Sequence, residues 1–399
     1  MELKEYTVEE LVNKNMIEKP FDGNHGNKHP KSSDYVEIGI PFIMVSDINN
    51  GRINYNTCKF ITEEQRNGLD KGFSRKGDIL LSHKATIGVT CIVDDLYPEI
   101  VITPQLTCYR VKNGINKYYL KYYFDSPYFQ NILKNWATSG STRSYLGITA
   151  QLKLPILLPE LEIQNKISKI LLLIDRKIEL NMHTNNNLYE IGKALYQKYF
   201  ENEKYTNNYE IKQLSDVTTN NRNKIDQTKE YKVLSAVNTG NLVLSDDYFD
   251  KQVYSKDIRK YLNVNKNDFA YNPARINIGS IGLNTFDFNC CVSPVYVTFS
   301  VDKDYIDYFD FYFKSKKFNA EVTLRASGSV RQALNYNDFG MIEIPYPNKE
   351  MIDIFNGSYK TIKDRINKNK AKISNLEQIR DTLLPKLMNG EIDLDKIEI

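Results

Sequence analysis

Features typical of secreted and membrane proteins are missing from this chain of 399 residues. It has only five cysteines, and no two are spaced as C-x-x-C, so we expect reduced thiols and not a disulfide framework or a cysteine zinc site. No apolar run reaches the roughly 18 residues that a membrane span needs, and the beginning, MELKEYTVEELVNKN, has no apolar signal-peptide region. These absences predict a cytoplasmic protein without a membrane partner.

The chain also has little excess charge of either sign. Its 53 Lys and Arg against 50 Asp and Glu leave a formal charge of +3, which permits a nucleic-acid partner without implying one. Nucleic-acid binding depends on local clusters of Lys and Arg and not on such a small net charge. A length of 399 residues is too long for one ordinary core and suits two domains.

Catalytic and metal-binding motifs are absent as well. The sequence contains neither a G-x-x-x-x-G-K-[ST] phosphate loop nor a G-x-S-x-G nucleophile turn. His25 and His29 in HGNKH have no Glu between them and no third ligand in view, which favours loop histidines over a zinc site. YNPAR at residues 271–275 has only part of the Asn-Pro-Pro-aromatic motif of adenine methyltransferases. We therefore expect no catalytic residue, no metal site and no cofactor in this chain.

A long internal repeat is present. SGSTRSYL at residues 139–146 returns as SGSVRQAL at residues 327–334, 188 positions later. Further matches follow the same order, with offsets between 188 and 191: KGDILLS with KNDFAYN, ITPQ with VSPV, and YYFDSPYF with FYFKSKKF. A common order over so many matches indicates duplication of a whole domain.

Each copy has a mixed pattern of secondary structure. Short runs rich in Val, Ile and Tyr, bounded by Asp, Asn, Gly and Pro, predict strands and turns. Residues 115–137 and 307–326 have apolar spacings near 3.6 and predict helices. The predicted fold class is therefore α/β, in the mixed α+β sense, with two duplicated globular domains at residues 1–158 and 204–347.

A helical segment follows each predicted domain, at residues 159–203 and 348–399. Each has a heptad seam, formed by Ile167, Leu171, Ile174, Ile178, Asn181, Asn185, Leu188, Gly192, Leu195 and Tyr199 in the first and by Phe355, Tyr359, Ile362, Ile366, Asn369, Ile373, Leu376, Arg380, Leu383 and Leu387 in the second. Such seams predict two long antiparallel helices in a coiled coil, a spacer of about 60 Å. The alternative is that each helix packs only on its own domain.

One asparagine in each seam is predicted to set the register of the two helices. Asn181 aligns with Asn369 in the repeat, and both lie near the middle of their seams. An asparagine among apolar seam residues lowers stability but favours the alignment in which its amide finds a partner.

The repeated turn is the first candidate for DNA contact. Hydroxyl, backbone N–H and guanidinium groups suit phosphate oxygens, and Arg also suits the O6/N7 edge of guanine. The alternative is a turn that merely caps a helix and forms a local salt bridge. With neighbouring polar residues, the candidates are Arg75, Lys76, Lys84, Ser139, Ser141 and Arg143 in the first copy and Lys266, Arg275, Asn277, Ser327, Ser329 and Arg331 in the second.

Over nearly its whole length the chain resembles the specificity subunit of type I restriction–modification systems. The resemblance is carried by LPILLPELEIQNKI at residues 154–167, LLPKLMNGEIDL at residues 383–394, and FSRKGDILLS at residues 73–82. There are departures, since Ile163 separates Glu162 from Gln164 and the second helix entry, IPYPNKEMIDIF, has no Gln. These departures bear on how the helices dock their partners.

The resemblance implies a non-catalytic subunit with two target recognition domains, each reading one half of a split site in double-stranded DNA. The antiparallel helices would set the unread gap. The implied partners are two modification subunits, which bind S-adenosylmethionine and methylate adenine, and restriction subunits, which translocate and cut DNA with ATP and Mg²⁺.

Two other classes of protein remain as alternatives. One is a DNA-modifying enzyme with its own methyltransferase or nuclease centre, and the other is a coiled-coil scaffold that binds only proteins. The sequence leaves open which DNA site is recognised and how long its gap is.

Overall fold

The computed structural model describes residues 2–137, 145–202, 209–249, 252–325, 333–392 and 394. The chain divides into two compact units, Met1–Met182 with Ala371–Ile399 (unit 1) and His183–Lys370 (unit 2). None of the helices in the described ranges has the length and apolar character of a membrane span.

Unit 1 combines a two-stranded ribbon, two four-stranded sheets and a short hairpin. The orders are β1-β12 in the ribbon, β6-β3-β10-β7 and β2-β11-β8-β9 in the sheets, and β4-β5 in the hairpin. These strands are β1 (Lys4–Thr7), β2 (Phe21–Asp22), β3 (Ile40–Ile43), β4 (Ile48–Asn49), β5 (Arg52–Ile53), β6 (Lys59–Ile61), β7 (Phe73–Ser74), β8 (Ile79–Lys84), β9 (Thr86–Ile92), β10 (Ile100–Ile102), β11 (Leu106–Tyr109) and β12 (Pro155–Leu158).

Unit 2 repeats the ribbon and both sheets. Its orders are β13-β22 in the ribbon and β16-β15-β20-β17 and β14-β21-β18-β19 in the sheets. These strands are β13 (Tyr209–Gln213), β14 (Thr218–Asn220), β15 (Lys232–Val237), β16 (Asn241–Leu244), β17 (Leu262–Val264), β18 (Phe269–Tyr271), β19 (Ile281–Leu283), β20 (Cys290–Val292), β21 (Val297–Val301) and β22 (Glu343–Pro347).

The two units share strand directions as well as strand orders. Each has one parallel contact, β3 with β10 in unit 1 and β15 with β20 in unit 2, while the matching neighbours are antiparallel. The sheets β2-β11-β8-β9 and β14-β21-β18-β19 are antiparallel throughout. The duplicated mixed α/β fold predicted from the repeat is confirmed.

Short helices cover the sheets of both units, and several of them begin at a side chain that caps the helix. Thr7 and Glu10 form a reciprocal capping box at α1, and the Asn116 side chain accepts the backbone N–H groups of Tyr118 and Tyr119 at α3. The short helices are α1 (Val8–Asn13), α2 (Glu63–Asn67), α3 (Lys117–Asp125), α4 (Pro127–Ala137) and α5 (Ile148–Gln151) in unit 1, and α7 (Leu214–Val217), α8 (Ser245–Tyr248), α9 (Ile306–Tyr312), α10 (Lys316–Arg325) and α11 (Tyr336–Gly340) in unit 2.

Two long helices, α6 (Leu161–Tyr196) and α12 (Lys349–Met388), contribute a segment to each unit. All positions of both predicted seams are buried or partly buried. In unit 1, Arg380 donates to Asp175 at 3.1 Å, and Ile167 and Leu387 share the core. These contacts pair the beginning of α6 with the end of α12.

In unit 2 the remaining helix segments run in opposite directions. The Asn369 side-chain amide donates to the Asn185 oxygen at 3.0 Å, and further along α6 the rings of Tyr196 and Phe355 lie 6.5 Å apart. Asn181 is also buried, but its amide donates to the Lys177 carbonyl of its own helix. Among the described residues, the amide that pairs with Asn369 across the seam is therefore that of Asn185. A register role for Asn181 with Asn369 stays a prediction.

Candidate DNA interface

In unit 1 the tip of the β8–β9 hairpin contacts Tyr145 and Leu146, which follow the repeated turn in the sequence. Ala85 at the tip has φ +66°, a left-handed conformation that is uncommon for a residue other than glycine. Exposed Lys84 forms a β-bridge with Tyr145, and its Nζ lies 5.9 Å from the Tyr145 ring centroid. The Leu146 N–H donates to the His83 carbonyl at 3.0 Å. The residues that follow segment 138–144 are thus hydrogen-bonded to the hairpin tip.

Unit 2 has the same arrangement at its β18–β19 connection. The Leu334 N–H donates to the Pro273 carbonyl at 3.0 Å, just as Leu146 donates to His83 in unit 1. The connection continues through exposed Arg275 into a single 3₁₀ turn, Ile276–Ile278, which contains partly buried Asn277. In both copies the leucine that follows the turn segment therefore donates to the matching strand region, to His83 near the end of β8 in unit 1 and to Pro273 just after β18 in unit 2.

Six of the predicted contact residues lie outside the described residues. They are the members of the turns themselves: Ser139, Ser141, Arg143, Ser327, Ser329 and Arg331. Their role in DNA contact stays a prediction, supported by the matched surroundings of the two segments.

The remaining basic candidates do not form one patch. Arg75 and Lys76 precede β8, whereas Lys84 ends it, and the six residues of β8 alone span about 17 Å. Lys266 likewise precedes β18, whereas Arg275 follows it. Of these residues, Lys84 lies at the end of β8 in the bridge to Tyr145, and Arg275 and Asn277 lie in the β18–β19 connection.

Lys76 and Lys266 occupy equivalent turns, and each is already paired with a carboxylate. Lys76 Nζ lies 2.5 Å from Asp95, and Lys266 forms an ion pair with Asp287. Both pairs are well exposed, so solvent screening leaves them weak and both lysines can exchange partners.

Sequence reasoning missed His83, which is buried beside the hairpin tip at 1 % exposure. Gln151 Nε2 donates to the Thr107 hydroxyl oxygen at 2.9 Å, and that hydroxyl lies 2.7 Å from His83 Nδ1. The Thr107 hydroxyl and His83 Nδ1 form a hydrogen bond in which the tautomer of the imidazole decides which of them is the donor. His83 Nε2 has no hydrogen-bond partner among the described residues, and the ring lies 5.7 Å from that of Tyr145. No spacing in the sequence connects these residues.

Burial lowers the pKa of His83 to about 4, and the charge of Asp22 only partly opposes this effect. Since the unfolded chain binds the proton near pH 6.5, unit 1 should lose stability as the pH falls from 6.5 to 4, by about 3 kcal/mol in total. Hydrogen exchange of the β8 amides would measure this loss. His83→Gln should flatten the pH dependence, whereas His183→Gln in α6 should keep it. If the stability of unit 1 falls equally steeply with pH in wild type and in His83→Gln, His83 is not the group responsible.

The other motifs with catalytic potential occupy structural positions. Tyr271 of YNPAR is fully buried against Phe299 and Phe339 in the core of unit 2, so it cannot stack on a base. All five cysteines are buried as free thiols. Within the described ranges, no group of three or more His, Cys, Asp or Glu side chains could hold a metal ion.

Comparison with known proteins agrees with this architecture. Residues 4–190 match the family model for the type I restriction modification DNA specificity domain. The chain is 24% identical over 404 residues to the type I restriction enzyme MjaIX specificity subunit of Methanocaldococcus jannaschii, covering 92% of this chain and 90% of that protein. It is 22% identical to the putative MjaX specificity subunit of the same organism, covering 89% and 88%.

A solved structure shares the fold. The S subunit of a type I restriction–modification system from M. genitalium superposes with a TM-score of 0.53 at 14% identity, covering 97% of this chain and 96% of that one. Residues 4–190 therefore belong to the family of type I restriction modification DNA specificity domains, and the chain is similar over most of its length to type I specificity subunits.

Proposed function

We propose that this chain selects the DNA sequence on which a type I restriction–modification complex acts, with each globular domain reading one half of a split site. The observation that carries this proposal is that, in two units of one topology, the leucine three residues after the repeated Ser-Gly-Ser-x-Arg donates to a matching position, Leu146 to His83 near the end of β8 and Leu334 to Pro273 just after β18. Two equivalent reading surfaces in one chain suit a site with two blocks of specified bases.

In this proposal residues 1–158 and 204–347 are the target recognition domains. Helical residues 159–203 and 348–399 separate them, set the unread gap and bind two modification subunits. S-adenosylmethionine, ATP and Mg²⁺ belong to the modification and restriction subunits, and the complex works on double-stranded DNA in the cytoplasm. This chain then supplies recognition, and its partners supply methyl transfer and cleavage.

Selection from random duplexes by the complex with its modification subunits tests this function. We expect two short blocks of specified bases separated by an unspecified gap of constant length. We also expect the chain alone neither to methylate nor to cut the selected duplex, measured by transfer of a labelled methyl group and by gel analysis. Methyl transfer by the chain alone would favour the enzyme alternative, and selection of no sequence would favour the protein scaffold.

A further inference from the structure

Two donor side chains of unit 1 converge on one buried carboxylate. Asp22, at the end of β2, is 4 % exposed; His25 Nε2 donates to it at 2.6 Å, and Lys71 Nζ donates to its other oxygen. Burial of Asp22 would raise its pKa, but the hydrogen bonds from Lys71 and His25 outweigh that effect and lower it. The side chain of His25 is 50% exposed and that of Lys71 is 42% exposed. The buried Asp22 carboxylate thus orients two half-exposed donors, His25 and Lys71, which we call the donor pair.

The loops that carry the donor pair are fixed to each other. The Asn24 side chain, itself buried, donates to the Lys71 carbonyl at 2.5 Å and accepts from the Asp70 N–H at 3.0 Å. A side chain at Gly23 would overlap the backbone of Ile102, so this loop lies directly against β10. The donor pair is therefore preorganised, and a ligand would not have to order it.

The donor pair lies on the same side of the sheet as the hairpin-tip network. Asp22 is opposite Thr107 in the β2–β11 ladder, and the Thr107 hydroxyl contacts His83, which in turn contacts the exposed Tyr145 ring. The charges of Asp22, His25, Lys71 and Lys84 all act on His83. These groups therefore cluster around His83, whose ring contacts that of Tyr145.

The second copy lacks this arrangement. At the local repeat offset of 190, which aligns Lys76 with Lys266, Tyr261 corresponds to Lys71 and Pro273 to His83. The donor pair is therefore a feature of the first domain and not of the shared framework.

We propose that Lys71, with His25 beside it, binds a backbone phosphate of the half-site that unit 1 reads, an inference that rests on the proposed function. A phosphodiester offers only acceptor oxygens, and an ammonium group held in place by a buried carboxylate is a donor of the kind that it prefers. Around His83, the positive charges of Lys71 and Lys84 outweigh the single negative charge of Asp22, which favours an anion there. Such a contact fixes the position of unit 1 on the duplex, while other residues read bases.

Binding of the complex to its selected duplex tests this contact. Lys71→Gln should lower affinity about tenfold and reduce the slope of log affinity against log salt by about one unit. Lys28→Gln is the matched control, because it removes the same charge from a nearby lysine that forms an exposed ion pair with Asp70. It should change affinity less than twofold.

Neutral methylphosphonates, placed one at a time along the unit 1 half-site, locate the phosphate. At one position, the methylphosphonate should weaken DNA binding by the wild-type complex as much as Lys71→Gln does. The same methylphosphonate should not weaken binding by the Lys71→Gln complex any further. His25→Gln should weaken binding at the same position. Asp22→Asn should also weaken binding although it raises the net charge by one, because it releases the orientation of both donors. Circular dichroism establishes that each variant is folded.

The outcomes separate this inference from the function on which it rests. If wild type selects a split site but Lys71→Gln binds it with unchanged affinity and salt slope, only the phosphate contact is wrong. An equal loss in Lys28→Gln, or tighter binding by Asp22→Asn, would overturn it as well, because both indicate general electrostatic attraction. If wild type selects no site, the proposed function fails and this contact fails with it.

Discussion

A complex in which α6 and α12 are both lengthened by one heptad is expected to lose its original DNA site and to select one with a wider gap. Seven helical residues add about 10 Å, which corresponds to about three base pairs. A whole heptad keeps the seam in phase, so the buried positions of both helices stay buried. Because the two half-sites would then be out of step with the recognition domains, affinity for the original duplex should fall by more than a hundredfold.

Random-duplex selection by wild type and by the lengthened variant measures both gaps. The two specified blocks should be identical in the two experiments, since neither recognition domain has changed. The matched control carries the same seven residues in the exposed loop between Thr228 and Lys229 and should keep the original gap. An unchanged gap in the lengthened variant would show that the helices do not determine the spacing.

Replacing both turn arginines, Arg143→Ala with Arg331→Ala, is expected to give the second largest loss of binding. If each Arg binds a guanine edge, each replacement costs about 1–3 kcal/mol and relaxes specificity at one position of its own half-site. If each binds a phosphate, affinity falls equally on all sequences and the salt slope drops by about one unit for each residue. Either result places the repeated segments at the DNA.

Binding of each single variant to duplexes altered in one half-site, at two salt concentrations, distinguishes these cases. Arg259→Ala is the matched control, because it removes an exposed arginine that is not among the candidates and that pairs with Asp257, and it should cost less. Circular dichroism should show each variant to be folded. Wild-type binding by both Arg143→Ala and Arg331→Ala would instead make the turns structural caps whose recurrence reflects duplication alone.

The larger architecture was predictable because its signals are linear. Matched segments at offsets of 188 to 191 indicate duplication wherever the residues lie in space, and the strand orders of the two units agree with that prediction. Heptad spacing likewise specifies which face of a helix is buried, as the burial of both seams shows.

The partner of each seam residue needed the tertiary structure. Asn181 and Asn185 are both seam positions one turn apart, and the heptad pattern treats them alike. In unit 2 it is Asn185 that accepts from Asn369, in the same register that places the rings of Tyr196 and Phe355 6.5 Å apart.

The sequence by itself determined the duplicated mixed fold, the two long helices and the family resemblance. The arrangement of the candidate site was decided by strand pairing. An extended strand moves Lys76 away from Lys84 although they are near in sequence, because each residue advances the chain by about 3.3 Å. The ladders that join β2, β11 and β8 do the opposite and bring Asp22, Thr107 and His83 together from distant positions. Such contacts depend on which strands are neighbours, and that information is absent from any local pattern of residues.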